Sequence, residues 1–385
     1  MFIINYECMQ TPFINLNNYM VILEHYFMPQ VRNINLPNSS IGTTKSIRIF
    51  SFGKQDSKNK VYIQAGLHAG EHPGILVAHQ LLQKLSELEK AGKINNRIDV
   101  VPVANPIGIG QFINGEINGR YSFNDGTNFN RNFNSDVVNE VLSEEKSQEI
   151  SREDLVLKIT NRLKKLKVNT QVEALKILLL GEALAADLVL DLHCDGESLH
   201  HIYAEKGATE EARVVAKYLE TKQIILSDMT QSSAFDDSLN YINQQISHHS
   251  SDKNNLKKPN AYTIELRGRA DVSEYLADKD SNNIIKLLEE MNYINNVHQD
   301  KCADDINIRE SSNMQAINAS CAGIVVHCKN LGDQVRVGDV VVKIINPLEV
   351  NSPPLEIFKA GINGQVFSRH ISKLAYPGME LIKIA

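Results

Sequence analysis

The stretch KVYIQAGLHAGEHPGILVAH, Lys60 to His79, runs a strand, a chemically loaded loop and a helix together in twenty residues. Lys60 to Ala65 is short, apolar and β-prone, so it reads as a buried strand. Gly66 ends it. Pro73 suits the first turn of a helix, and Ile75, Ala78, Leu82, Leu85 and Leu88 then keep helical spacing. A strand that feeds a helix through a short loop is the repeating unit of an α/β domain.

Working outward, the same unit recurs. Ser46–Phe52 alternates and reads as a strand. Arg97–Val103 is another, closed by the Asn105-Pro106 breaker. Ala186–Cys194 and Ala261–Leu266 are buried strands, and Ser281–Ile294 is a helix. Residues 137–187 carry the pattern of two helices. Residues 107–136 hold five glycines and many asparagines with little periodicity, a functional or disordered loop. The expected fold is α/β with a largely parallel sheet.

Past residue 305 helical patterns stop and Gly/Val alternation begins. VGDVVVKI (Val337–Ile344) is echoed by PGMELIKI (Pro377–Ile384), forty residues later, and G-x-V starts precede each at Gly323 and Gly364. Two similar β units imply a small all-β module with pseudo-two-fold symmetry. It is similar to the hammerhead barrel of biotinyl and lipoyl carriers. The tip NPLEVNSPP (346–354) holds no lysine to modify, and Lys359 is off the expected position, so a structural or interaction module is expected. The chain divides into an Asn-rich extension (1–44) with some strand or helix of its own, a catalytic unit (45–304) and the β module (305–385).

Composition sets the broad class. Of 385 residues, 42% are hydrophobic and 22% charged, which suits a soluble globular protein of about two domains. A net charge of −6 indicates no nucleic-acid surface. Five cysteines without a C-x-x-C pair fit a reducing compartment, not a disulfide framework. The first residues lack a basic leader, and no window reaches the ~20 apolar residues of a membrane span. A cytoplasmic protein with no membrane partner is expected.

The loop carries the chemistry. HAGEH formally matches the H-x-x-E-H of inverzincins, which sets His68 and His72 on one helix face with Glu71 as base. Gly70 weakens such a helix, and Pro73 disfavours the α conformation at His72. On a loop the same residues read as H-x-x-E, with His68 and Glu71 both as metal ligands. Catalytic zinc takes three protein ligands and keeps a position for water. The candidate third is His193, at the end of the Ala186–Cys194 strand and 122 residues beyond Glu71. Strand ends are where α/β enzymes build sites. Glu265, a carboxylate within an apolar strand, is the candidate base; the alternative is an internal pair with Arg267 on the same face. Arg120 and Arg131 in the long loop, with Asn130, offer cationic and amide donors for an oxyanion or a carboxylate.

H-x-x-E on a strand–helix loop, N-R, D-L-H and T-I-E-L together resemble the zinc carboxypeptidase clan. More closely, the chain resembles its succinylglutamate desuccinylase/aspartoacylase branch, over residues 46–385. The resemblance implies a zinc-carboxypeptidase-like mixed sheet flanked by helices, plus a C-terminal hammerhead or barrel-like β module. It implies one Zn2+ per chain on His68, Glu71 and His193, with Glu265 as general base and later acid. Arg120 would polarise the scissile carbonyl, and Asn130 with Arg131 would hold a substrate carboxylate. The implied activity is zinc-dependent cleavage of the amide of an N-acyl amino acid or similar small carboxylate, with a metallocarboxypeptidase acting on short peptides as the alternative. One departure stands out. Where the branch reads D-L-N-R this chain has N-F-N-R, so Asn128 replaces an Asp that would steady the first His ligand; Asp125 or Asp191 is the candidate to compensate.

Overall fold

The structure is a computed structural model that describes residues 29–133, 136–145, 150–228, 234–251, 259–295, 306–349 and 352–385. Most of the 1–44 extension, Cys8, Cys302 and part of the 346–354 tip lie outside these residues.

In chain order, the catalytic unit runs β1 (Gln30–Asn35), β2 (Ser46–Phe52), β3 (Lys60–Ala65), α1 (His72–Lys90), β4 (Arg97–Val101) and a β5–β6 hairpin (Phe112–Ile113, Glu116–Ile117). Then come α2 (Asp136–Glu144), α3 (Arg152–Lys164), α4 (Gln171–Ala183), β7 (Leu188–Asp195), β8 (Glu197–Ser198) and β9 (His201–Glu205). It closes with α5 (Thr209–Tyr218), β10 (Gln223–Ser227), α6 (Phe235–His249), β11 (Asn260–Gly268), α7 (Glu274–Glu290) and β12 (Asn307–Glu310). The strands form one nine-stranded sheet, β1-β2-β4-β3-β7-β11-β9-β10-β12. Its heart, β4-β3-β7-β11, is parallel; β1-β2, β2-β4 and β11-β9 are antiparallel, so the sheet is mixed. It reaches past both ends of the 45–304 span, through β1 and β12.

Parallel strands need both faces covered, and two apolar cores supply the cover. One packs α1, α5 and α7 on one face; the other packs α2, α3, α4 and α6 on the opposite face. Three helices, not two, fill residues 136–183. Ser151 caps α3, and a Thr170/Glu173 capping box starts α4, which breaks what periodicity alone reads as continuous. The long loop is more ordered than its composition indicates. A short 3-10 turn, the hairpin and a Tyr121–Asn128 bridge organise it. His248 and His249 close α6.

The β module comprises β13 (Gln315–Asn318), β14 (Gly323–His327), β15 (Gln334–Val335), β16 (Val340–Ile345), β17 (Glu356–Lys359), β18 (Gly364–Arg369), β19 (Leu374–Ala375) and β20 (Glu380–Ile384). They form two sheets, β13-β20-β18-β15 and β17-β16-β14-β19. The echoed segments end in β16 and β20, which hold equivalent places in the two sheets. Their inward residues, Val341, Ile344, Leu381 and Ile384 among them, fill one small core. The module is stitched to the catalytic unit by β8 pairing with β18.

Candidate metal centre and its surroundings

β3 and β7 are parallel neighbours, so their C-terminal ends emerge side by side. Gly66 turns the chain out of β3 at φ +70, a conformation that costs glycine nothing. The loop then lays down His68 and Glu71 before α1 begins at His72. His193 stands at the end of β7. The ligand-capable atoms of His68, Glu71 and His193 lie within 4.8 Å of one another, and all three residues are buried. His72 is exposed at the first turn of α1, which removes it from the cluster and leaves the helical H-x-x-E-H arrangement without a geometry.

Each imidazole is anchored through Nε2. His68 Nε2 lies 2.9 Å from Asn128 Oδ1, and His193 Nε2 lies 2.9 Å from Asp191 Oδ2. Asn128 Oδ1 also accepts the Asn130 backbone N–H at 2.9 Å, which fixes the amide's orientation. Nε2–H therefore donates on both rings, and each Nδ1 faces Glu71: 3.0 Å from Oε1 for His68 and 2.8 Å from Oε2 for His193. Nitrogens facing carboxylate oxygens at this range are bridged by a proton or by a cation. Burial disfavours charge on His193, but Asp191 and Glu71 outweigh it and raise its pKa. Burial would also raise Glu71, yet the two imidazoles hold it well below the usual carboxylate range. Two bare nitrogens and a carboxylate with fixed outer partners fit a divalent cation of zinc type.

Around this cluster, Arg120 Nη1 donates to Glu71 Oε1 at 2.9 Å and lies 3.2 Å from His68 Nδ1. The Cys194 backbone N–H donates to Glu71 Oε2 at 3.2 Å, while its side chain is buried on the other face of β7. Glu265 is the direct neighbour of His193 across the β7–β11 pairing and of His201 across β11–β9. Residues paired across strands share a face, so Glu265 borders the cluster. Its Oε2 is buried with no hydrogen-bond partner among the described residues. Burial pushes its carboxyl up to about 8, with Asp195 and Glu71 adding to the rise; a bound cation would act in the opposite sense.

The Glu265–Arg267 pair does not form. The ladder slips between Glu265 and Gly268, Arg267 takes φ +65, and its guanidinium pairs with Asp280. Asn130 is buried: its Oδ1 accepts from Phe235 N at 2.8 Å, and its Nδ2 lies 3.4 Å from His193 Nε2. Arg131 is exposed, with Nη1 donating to Asn130 O at 2.6 Å. Asp191 serves His193, not His68, and Asp125 bonds the Thr127 backbone, so among the described residues Asn128 holds His68 from outside. Arg269, whose Nε and Nη2 each lie 3.3 Å from Gly70 O, braces the ligand loop, and nothing in the sequence marks it. A cavity of about 930 Å3 lies at the other end of the sheet, among Lys60, Arg97 and Asp187.

A sequence profile of the succinylglutamate desuccinylase/aspartoacylase catalytic domain matches residues 57–291. The chain belongs to the succinylglutamate desuccinylase/aspartoacylase family. This is a family of hydrolytic deacylases, so the chain is an enzyme of that kind. The match spans every residue of the cluster and Glu265. No curated protein sequence matches it significantly. Among solved structures, a candidate family member from Shewanella frigidimarina superposes with a TM-score of 0.78 at 21% identity, over 93% of this chain and 97% of that one. A candidate family member from Shewanella amazonensis gives 0.76 at 23%, over 92% and 98%. The product-bound ectoine utilization protein EutE of Ruegeria pomeroyi gives 0.64 at 18%, over 97% and 98%. At these identities the likeness speaks for the fold, and it extends through the β module. Among the described residues no helix is long and apolar enough to cross a membrane.

Proposed function

We propose that this family member is a zinc-dependent deacylase that cleaves the amide bond of an N-acyl amino acid or similar small carboxylate. The observation that carries the reading is the convergence of His68, Glu71 and His193 within 4.8 Å, with Glu265 next to His193 in the sheet. One Zn2+ held by these three residues would supply Lewis acidity and a water whose pKa falls toward ~7. Glu265 takes the proton from the nucleophile and returns it to the leaving amine. Its unpartnered Oε2 and its neighbours suit that exchange. Arg120 Nη1, already at the ligand atoms, donates to the developing oxyanion, a contribution of roughly 3–4 kcal/mol for one donor. Arg131 meets the substrate's carboxylate, and Asn130 shapes that end of the pocket. The relatives' names include an ectoine utilization protein, which supports a small carboxylate substrate. The β8–β18 pairing brings the β module against the residues that follow His193, which favours small substrates over long peptides.

The test is metal analysis of the purified protein, followed by assays of N-acetyl- and N-succinyl-amino acids beside short peptides. Glu265→Gln should retain metal and lower kcat by about 10^3-fold. A metal-free native protein, or full activity in that variant, would refute the reading.

A further inference from the structure

We propose that Lys176, remote from the cluster itself, is a positioning residue that sets the arm Asn130–Phe133. The inference rests on the deacylase reading, in which Arg131 meets the substrate's carboxylate. Lys176 belongs to α4 and is buried. Its Nζ donates to the Arg131 carbonyl at 2.6 Å and stands 5.8 Å from the centroid of the Phe133 ring. Phe133 meets Phe235 edge-on, with centroids 5.2 Å apart, and the Phe235 N–H in turn donates to Asn130 Oδ1. The Asn130 N–H reaches Asn128 Oδ1, which also holds His68. Asn132 sits at φ +59, the left-handed region that asparagine adopts more readily than other side chains, so the chain turns sharply between Arg131 and Phe133. The arm is thus held at residue 130 by Phe235 and Asn128, and at residues 131 and 133 by Lys176.

The energetics single out the amine. Burial is costly enough to pull the Lys176 pKa down to about 8. Its hydrogen-bonded partner is a carbonyl, which does not repay the cost as a carboxylate would. A methionine would pack α4 without that cost. What the ammonium adds is a fixed position for the carbonyl of Arg131, and with it the direction in which the Arg131 side chain leaves the backbone. A cavity of about 410 Å3, bounded by Asp125, Thr127, Asn132, Glu173 and Leu180, opens beside Lys176 and has room for a small amine.

The experiment uses the full-length, zinc-loaded protein and two substrates, an N-acyl amino acid and its carboxamide analogue. Lys176→Met should raise KM about tenfold for the acid, leave its kcat within about twofold, and leave KM for the carboxamide unchanged. Lys176→Arg should restore KM. Propylamine should restore it in part for Lys176→Ala, by entering the cavity. Hydrogen exchange of Lys176→Met and Lys176→Ala should speed up in residues 130–133 and stay unchanged around His193. Equal KM changes for both substrates, a loss confined to kcat, or unchanged exchange at 130–133 would each overturn the proposal. Wild-type protein that hydrolyses neither substrate would sink the deacylase reading instead, and the exchange measurement would still decide the role of Lys176.

Discussion

At the scale of single residues, the site turns on which nitrogen of each histidine is committed. Asn128 and Asp191 claim the two Nε2 atoms, one as a neutral amide and the other as a carboxylate. A carboxylate raises the basicity of the ring it holds more than an amide does. Asn128→Asp should therefore tighten metal binding by about tenfold, measured by competition with a chelator; no change would mean that His68 contributes little to affinity. His193 and Glu265 stood out because polar residues sat in apolar strands, and His68 and Glu71 because they share a glycine-flanked loop between a strand and a helix. Asp191 was visible only as D-L-H spacing, which puts it on the face of His193. Arg269 was not legible, because its contact with Gly70 joins residues 199 apart and follows from a slipped ladder. His201 sets a second expectation. It is fully buried, edge-on to Tyr203 and Phe367, and burial pulls its pKa down to about 4 from 6.5. The unfolded chain binds that proton first, so stability is complete above 6.5 and is lost as pH falls toward 4. His201→Phe should remove up to about 3 kcal/mol of that loss. Thermal melts at pH 7.5 and 4.5 test it: the wild-type protein should drop further than the variant.

At the scale of elements, the ligand loop is held between β3, α1 and the long loop. The Ala69 N–H donates to Gly119 O at 3.0 Å, and the Asn105 side chain donates to Leu67 O at 2.9 Å. A Cβ on Gly119 would stand 2.6 Å from Gly70 N and 2.8 Å from the Ala69 Cβ, against backbone that cannot move without shifting His68 and Glu71. Gly119→Ala should cost about 2 kcal/mol of stability and weaken metal binding with it. Normal metal affinity in a folded Gly119→Ala protein would show that the two loops move independently. Periodicity located β2, β3, β4, β7, β11 and α1, because buried strands and a one-sided helix write clear patterns, but it passed over β9, β10, α5 and α6. It merged α3 with its neighbours, since the cores they face are apolar on several sides. It also left the 107–133 loop shapeless, because side-chain-to-backbone bonds such as Gln111 to the carbonyls of Asn118 and Tyr121 organise it.

At the scale of the whole molecule, two folded units share one seam. Asp195, two residues past His193, accepts from Ser368 Oγ at 2.6 Å and from Lys383 Nζ at 3.1 Å, both in the β module. Burial works against its charge, but Lys383 and Ser368 pull its pKa down to about 2. Glu197 adds ion pairs with Arg369 and Lys373, both at 2.9 Å. Lys383→Met should leave Asp195 without its cation and cost about 1–2 kcal/mol, the seam being partly exposed. An earlier or split thermal transition would register it, and an unchanged melt would show that the β8–β18 ladder suffices. The internal echo at a spacing of forty made the module's two sheets legible; its docking was not, because the partners come from opposite ends of the chain. Asn128, finally, alters the charge count of the pocket as well as its geometry. With a divalent cation bound, Asn128 would leave the pocket one charge more positive than an aspartate in its place would. Phosphate or citrate in a buffer should then compete with substrate, and the enzyme should run fastest in media free of multivalent anions.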